Sequence, residues 1–344
     1  MSTLLQRYEE LKASGAKLYP RDAARALGVT EADLVSVHIG AKRLRPAFQT
    51  LVRAMPALGE VKTMTRNEHA VIERWGRFEE IEAEDGAALG QVVGADIDLR
   101  LFFHQWGSAF VVDDTTPKGP RTSLQIFDRF GDSVFKVFPE SETARAALHA
   151  FAEEHAQTDG SAFAVEPRPT RAPSRPPTPD DQEAFRAAWD AMQDTHEFFG
   201  LLRRFGLGRV RALEVAGPTR AEEIATTALE AVLERASIDA QPIMIFVGSR
   251  GVLQIHTGNV RTVKRMSGYL NVLDPGFNLH VRDEAIARAF VVRKPTVDGD
   301  VTSLELFDTD GETVAMLFSK RKPGQIEGSY WRELLASLPH KAHS

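Results

Sequence analysis

Apolar and polar residues alternate with period two along Leu124-Gln125-Ile126-Phe127-Asp128 and along Ser133-Val134-Phe135-Lys136-Val137-Phe138. The two runs flank Asp128 to Gly131, so they predict paired strands joined by a turn. Ile243-Met244-Ile245-Phe246-Val247 and Val252-Leu253-Gln254-Ile255-His256 flank Gly248-Ser249-Arg250-Gly251. They predict a second hairpin, since glycine supplies the backbone freedom of a tight reversal. A different period begins at Thr178-Pro179-Asp180-Asp181, where a hydroxyl N-cap, a proline at the first helical position and two early acids start a helix. Beyond it Phe185, Trp189, Met192, His196 and Phe199 recur at steps of four, three, four and three. That spacing predicts one helix whose apolar stripe contains His196. In each half of the chain helical patterns come first and strand patterns follow, the order of an α+β antiparallel fold.

The halves also repeat. Ala109-Phe110-Val111-Val112 returns as Ala289-Phe290-Val291-Val292, and Thr122-Ser123-Leu124-Gln125-Ile126-Phe127-Asp128 as Thr302-Ser303-Leu304-Glu305-Leu306-Phe307-Asp308. Gly131 returns as Gly311, and the offset is 180 residues each time. Anchors that agree on one offset predict a tandem duplication, and so long a period makes two domains rather than a solenoid. Val165 to Pro179 holds Pro167, Pro169, Pro173, Pro176, Pro177 and Pro179, a density that excludes helix interior and central strand. The expected organisation is a first repeat over 1–164, a proline-rich linker over 165–179 and a second repeat over 180–344. Each repeat is expected to place N-terminal helices ahead of a large antiparallel β-sheet.

Length agrees, because 344 residues exceed the roughly 250 at which single cores stop growing. Hydrophobic residues at 43% and charged residues at 26% are enough to bury a core. A net charge of −6 gives no general attraction to nucleic acid or anionic membrane. The absence of cysteine removes disulfides, thiolate catalysis and every thiolate ligand to a metal, leaving His, carboxylates, Tyr and Met. Met1 to Glu10 does not read as a signal peptide, and no segment approaches the roughly 20 apolar residues of a membrane span. The cytoplasm is therefore the expected compartment.

His196 has two readings. An imidazole amid apolar neighbours is commonly a hydrogen-bonded core or boundary residue. The same placement suits axial ligation of a flat apolar cofactor, which needs a neutral ring aimed into an apolar cleft. Spacing alone leaves both open. However, Asp194-Thr195-His196-Glu197-Phe198-Phe199-Gly200-Leu201-Leu202-Arg203-Arg204, Ile243 to Gly251, and Arg293-Lys294-Pro295-Thr296 followed by Asp298-Gly299 resemble the HemS/ChuS/HmuS-type haem utilisation proteins. So does Asp98-Leu99-Arg100-Leu101-Phe102, and the resemblance runs in order over nearly the whole chain.

The resemblance implies haem as cofactor, held in a cleft between tandem antiparallel-sheet domains with His196 as the proximal iron ligand. It implies that Arg100 approaches the opposite haem face, where a permanently protonated guanidinium can hold a distal water or ligand. Arg100 would be catalytic if the protein is an enzyme. Arg209, Lys294 and Arg321 match basic positions suited to the propionates, and Phe102, Met244 and Phe246 match the apolar walls. Phe318 stands where some relatives carry tyrosine, so one distal hydrogen bond is expected to be missing. Across the repeat Arg100 aligns with His280, while His196 falls near Lys17 or Leu18. Neither copy carries both, so one haem shared between the copies is expected.

Two roles follow from the resemblance. One is an intracellular carrier that receives haem from an importer and hands it to a haem oxygenase. The other is a haem-degrading enzyme that opens the ring with an external electron donor and releases iron. Haem binding and trafficking is their shared minimum, for a monomer or a homodimer with no membrane insertion. A third reading starts from Arg21-Asp22-Ala23-Ala24-Arg25-Ala26-Leu27-Gly28-Val29-Thr30-Glu31-Ala32-Asp33-Leu34, which looks like the opening of a helix-turn-helix. Residues 1–54 hold nine Lys or Arg against five Asp or Glu, so a DNA-binding haem-responsive regulator is the alternative. It is weakened because the second-copy equivalent around Phe205-Gly206-Leu207 lacks the same look. No P-loop, G-x-S-x-G elbow or HExxH helix is present, and His38, His69, His104 and His256 are read as structural.

Overall fold

Each half of the chain opens with short helices whose ends are set by local chemistry. The computed structural model describes residues 2–14, 19–116, 119–169, 177–321 and 324–341. Residues 170–176 of the expected linker, with Pro173 and Pro176, lie outside the described residues, as do Lys17 and Leu18. Two units emerge: Met1–Arg66 with Glu73–Pro169 and Gly248–Gln254, and Asn67–Ile72 with Thr170–Val247 and Ile255–Ser344. Each unit takes in a short piece of the other half of the sequence, which a linear division at the linker does not contain.

In the first unit Thr3 and Thr30 cap the helices Leu4–Ala13 and Glu31–Ser36 by reciprocal bonds with Gln6 and Asp33. Pro20 starts the helix Pro20–Leu27, and Gly28 ends it at φ 67°, a left-handed conformation that glycine adopts without a Cβ penalty. Strands then lie in the order Ala41–Arg43, Trp106–Thr116, Gly119–Asp128, Ser133–Pro139 and Val61–Arg66, each neighbouring pair antiparallel. Glu80–Glu82, Gly90–Val93 and Asp98–Leu101 form a smaller antiparallel ribbon. Phe48 and Leu51 from the helix Phe48–Ala54, and Leu148 and Phe151 from the helix Glu142–Glu154, close the core over Ile126 and Phe135.

The second unit repeats this plan. After the helices Pro179–Asp190, Glu197–Phe205 and Arg209–Ala216, its strands lie in the order Ala221–Ile224, Arg288–Lys294, Val301–Phe307, Thr313–Ser319 and Ile243–Gly248. Val263–Met266, Tyr269–Asp274 and Phe277–Val281 form the ribbon. One sheet face packs Ile245, Leu304, Leu306 and Leu317 on Leu229, Leu233 and Trp331. The other packs Phe290, Val292 and Phe307 under Phe185, Trp189 and Phe198 of the leading helices. Trp189 Nε1 donates to the Arg293 carbonyl at 3.0 Å and Trp331 Nε1 to the Thr302 carbonyl at 2.9 Å, so neither indole N–H is buried without a partner.

The fold is thus α+β, and the duplication holds at the level of single bonds. Gly131 N donates to Asp128 O at 3.0 Å and Gly311 N to Asp308 O at 3.1 Å. Asp128 Oδ1 accepts from Phe130 N and Asp132 N, and Asp308 Oδ1 from Asp310 N and Glu312 N, all at 2.9 Å. The hairpin predicted around Asp128 is present. Its alternation does not send the polar residues to water, because helices cover the second sheet face and bury Ser123, Gln125, Ser303 and Glu305.

Two expectations are corrected. The stripe from Phe185 to Phe199 is not one helix: the first helix stops at Asp190 and a new one starts at Glu197. Asp194 competes with the helical ladder by accepting the His196 backbone N–H at 2.7 Å, and the Gln193 carbonyl is taken by Val297 N at 3.0 Å. Residues 20–36 do form a helix, a turn at Gly28 and a second helix, but the second is not placed to read DNA. A recognition helix must present its first turn to the groove, whereas Glu31–Ser36 has six residues with Glu31, Ala32 and Leu34 buried.

Candidate functional site

His196 sits at the N-cap of Glu197–Phe205 with 88% of its side chain exposed, which overturns the core-histidine reading. Its Nδ1 lies 2.6 Å from Asp194 Oδ1, the same oxygen that accepts the His196 backbone N–H. A carboxylate only accepts, so this bond requires the proton on Nδ1, and in the neutral ring Nε2 then keeps its lone pair. Nε2 has no partner among the described residues. The Asp194 carboxyl is held below its usual range chiefly by the His196 backbone N–H, with burial opposing and the His196 ring and Arg321 adding to the effect. Arg321 is thereby placed within electrostatic reach of this turn.

Three residues beyond His196, Phe199 stands 57% exposed, with the Arg209 guanidinium 5.7 Å from its ring centre. Arg209 opens the helix Arg209–Ala216 and reaches down to the sheet, where Nε donates to Glu305 Oε2 at 2.8 Å and Nη2 to Met316 Sδ at 3.1 Å. Lys294 Nζ takes the other oxygen of Glu305 at 2.6 Å and lies 4.6 Å over the buried Phe198 ring. Burial alone would raise the Glu305 carboxyl, but Arg209 and Lys294 override it and hold the group far below the ordinary carboxylate range. Burial lowers the Lys294 ammonium, and Glu305 works against that.

Along the same sheet face, Phe246 pairs with Met316 and Met244 with Phe318. The Phe246 and Phe318 rings meet edge to face at 4.8 Å, and Met244, Phe246 and Phe318 are all half-buried. Contacts therefore run from Phe199 through Arg209 and the buried Met316 to the half-buried Phe246, Phe318 and Met244, and His196 caps the helix that carries Phe199. Arg209 and Lys294 share the buried acceptor Glu305, so they carry one positive charge between them beyond its neutralisation.

Arg100 and Phe102 belong to the first unit. Arg100 pairs across the ribbon with Gln91 and bonds Asp98 and the Leu99 carbonyl, with about a third of its side chain exposed. Burial raises the Asp98 carboxyl, and Arg100 opposes this. Phe102 is half-buried, its backbone N–H donating to the Gly251 carbonyl at 2.9 Å.

Asp194 and Glu305 were not singled out from sequence. An Asp two residues before a candidate ligand is the available signal for the first. For the second it is the Glu305/Gln125 difference across the repeat. A cavity of about 270 Å³ between Trp189, Asp190, Thr219, Arg220, Arg293 and Pro295 contains none of the expected site residues except by neighbouring Lys294 in sequence. Among the described residues no three His or carboxylate side chains converge on a point suited to a bare metal ion. A single unpartnered imidazole nitrogen three residues before an exposed phenylalanine fits instead a metal whose other ligands arrive with a flat macrocycle.

The domain described as haemin-degrading HemS.ChuX matches residues 28–155 and again 206–338. A curated relative, the hemin transport protein HmuS of Yersinia pestis, is 40% identical over 342 residues, covering 99% of this chain and 98% of that protein. Holo-PhuS, a heme-binding protein from Pseudomonas aeruginosa, superposes with a TM-score of 0.92 at 40% identity, covering 98% of this chain and 99% of that one. The heme degrading enzyme ChuS of Escherichia coli O157:H7 superposes with a TM-score of 0.89 at 36% identity, covering 97% and 98%.

Proposed function

The chain belongs to the haemin-degrading HemS.ChuX family, and from that premise we propose that it is a cytoplasmic haem-binding protein whose iron ligand is His196 Nε2. The observation that carries this reading is the ring itself: exposed, anchored through Nδ1, bare at Nε2, and at the start of the helix that carries the exposed Phe199. Haem, when bound, supplies the redox-active iron. The protein's own part is to offer one neutral nitrogen, an apolar face and cations. Arg209 and Arg321 are assigned to the propionate side, whereas Lys294, expected there from sequence, is buried and bonded to Glu305 and acts only behind Arg209. Arg100, with Phe102, is assigned to the other haem face, where its guanidinium donates to a water or ligand.

Trafficking is the role this reading favours, with haem received from an importer and passed to an oxygenase. A single protein ligand on a solvent-facing helix end permits release as well as capture. A second reading, ring opening with an external electron donor, is favoured by the likeness to an enzyme named for heme degradation and assigns the catalytic role to Arg100. No helix among the described residues is long and apolar enough to cross a membrane.

Absorption titration of the purified apoprotein with haemin tests the ligand. A Soret band saturating at one haem per chain, with affinity lowered at least about tenfold (~1.4 kcal/mol) in His196→Ala, is expected. No specific band in the wild type, or an unchanged His196→Ala titration, overturns the assignment. Adding a reductant to the loaded protein separates the roles: an intact porphyrin spectrum supports trafficking, and its loss with iron release, abolished in Arg100→Ala, supports the enzyme.

A further inference from the structure

We propose that Asp194 is a positioning residue that sets the tautomer and the aim of His196, an inference that rests on the reading of His196 as iron ligand. The geometry is unusually specific for a residue this exposed. One oxygen of Asp194 accepts both the His196 backbone N–H at 2.7 Å and the His196 ring Nδ1 at 2.6 Å. The backbone bond holds the carboxylate in a turn two residues before the ring, and the ring bond holds the imidazole against that fixed point. The Asp194 carbonyl also accepts from Glu197 N at 3.1 Å, so the turn is tied to the first residue of the following helix.

An exposed histidine free to choose can place its neutral proton on either nitrogen. Only the form protonated at Nδ1 leaves Nε2 able to donate a lone pair. A carboxylate at Nδ1 selects that form before any ligand arrives, orients the ring, and makes Nε2 a stronger donor by drawing on the shared proton. Arg321 lies within electrostatic reach of the carboxylate, and Glu197 Oε1 accepts the Gln193 backbone N–H at 3.2 Å, so both flanks of the turn are held. The break between the helices Pro179–Asp190 and Glu197–Phe205 is on this account part of the site: a continuous helix would have given the His196 N–H to the Met192 carbonyl and left the Asp194 carboxylate without that anchor.

The test uses the full chain in two states. In the apoprotein at pH 8, nitrogen-detected NMR of the His196 ring is expected to report the Nδ1-protonated form in the wild type and in Asp194→Asn, whose amide oxygen still accepts. A shift toward the Nε2-protonated form is expected in Asp194→Ala. In the haemin-loaded protein, Asp194→Ala is expected to weaken binding about 10- to 100-fold, the range for removing a carboxylate behind a ligating histidine. Asp194→Asn is expected to keep the Soret position while lowering the ferrous iron–histidine stretching frequency, because a neutral amide polarises the ring less. Asp194 is exposed, so both variants should fold, and a merely structural residue would move neither the tautomer nor the stretching frequency. A wild-type ring protonated at Nε2, or an Asp194→Ala protein with unchanged tautomer and affinity beside a defective His196→Ala, overturns the proposal alone. An unchanged His196→Ala titration overturns the ligand reading and with it Asp194's role toward iron, and the apoprotein spectra distinguish the two failures.

Discussion

Lys136 lies on the strand Ser133–Pro139 of the first unit with its side chain 9% exposed, and its nearest carboxylate oxygen is Glu31 Oε2 at 3.9 Å. The other oxygen of Glu31 is engaged by Arg66. Burial pushes the Lys136 ammonium down from 10.5 to about 8, against the pull of Glu31 and with repulsion from Arg66 and Arg121. That drop corresponds to about 3 kcal/mol at about 1.4 kcal/mol per tenfold change in proton affinity. The repeat places Met316 at the equivalent position, so Lys136→Met imports the second copy's solution, keeps the unbranched stem and leaves Glu31 with Arg66. Below pH 8 the folded wild type bears the full cost of a buried ammonium. Between 8 and 10.5 the unfolded chain holds more protons than the folded one, so wild-type stability rises with pH, and above 10.5 the cost is gone. Lys136→Met should therefore gain about 1–3 kcal/mol at pH 7, after allowing for the lost attraction to Glu31. The gain should shrink toward zero by pH 10.5. Paired urea unfolding curves at the two pH values read it directly. A variant less stable than wild type at pH 7, or a gain that ignores pH, would refute the argument.

The Glu305 cluster makes the opposite prediction. Glu305→Ala strands Lys294 and Arg209 without their shared acceptor and should destabilise the protein by about 3–5 kcal/mol, whereas Glu305→Gln, the residue at the equivalent Gln125, should lose less; thermal melts of the two variants compare them. Because Glu305 is held below its ordinary 4.5 by Arg209 and Lys294 against burial, its contribution is complete above that pH and falls away in acid. The wild type should accordingly lose stability faster than Glu305→Gln as pH drops below 4.5. The duplicated turn offers a matched pair. A Cβ on Gly131 would sit 2.3 Å from Thr30 Oγ1, while one on Gly311 would meet Val210 Cγ2 at 3.4 Å, and both glycines have positive φ. Gly131→Ala should cost at least about 1 kcal/mol more than Gly311→Ala, beyond the ~1–2 kcal/mol of left-handed strain common to both. Equal costs in denaturant titrations would show that the turn alone sets the penalty.

The duplication was legible because it rests on apolar and glycine positions, and these are what sheet pairing and tight turns constrain most. Spacing alone left the role of His196 open between a core residue and a ligand, and the exposure of its ring was not legible at all. The periodicity through Phe185, Trp189 and Met192 is real, and all three are buried. It cannot register that Asp194 ends the helical ladder and swings the last two members of the series to the surface. Charge was harder still, because the copies solve the same seam differently. In the second unit the carboxylate is on the sheet, Glu305, and one cation descends from a helix, Arg209. In the first unit the carboxylate is on a helix, Glu31, and the cations Lys136 and Arg66 rise from strands. Where the second unit opposes Met244 to Phe318 and Phe246 to Met316, the first opposes Lys62 to Phe138 and Met64 to Lys136. Lys62 then covers the Phe138 and Trp75 rings at 4.7 and 5.5 Å. The second unit therefore offers half-buried Met244, Phe246 and Phe318 where the first unit carries the Lys62 ammonium over aromatic rings and buries Lys136. The copies have thus diverged in the chemistry of this sheet face and not only at single positions: on the reading proposed above, a flat apolar ligand would meet half-buried thioether and aromatic groups on the second unit and would have to desolvate Lys62 on the first.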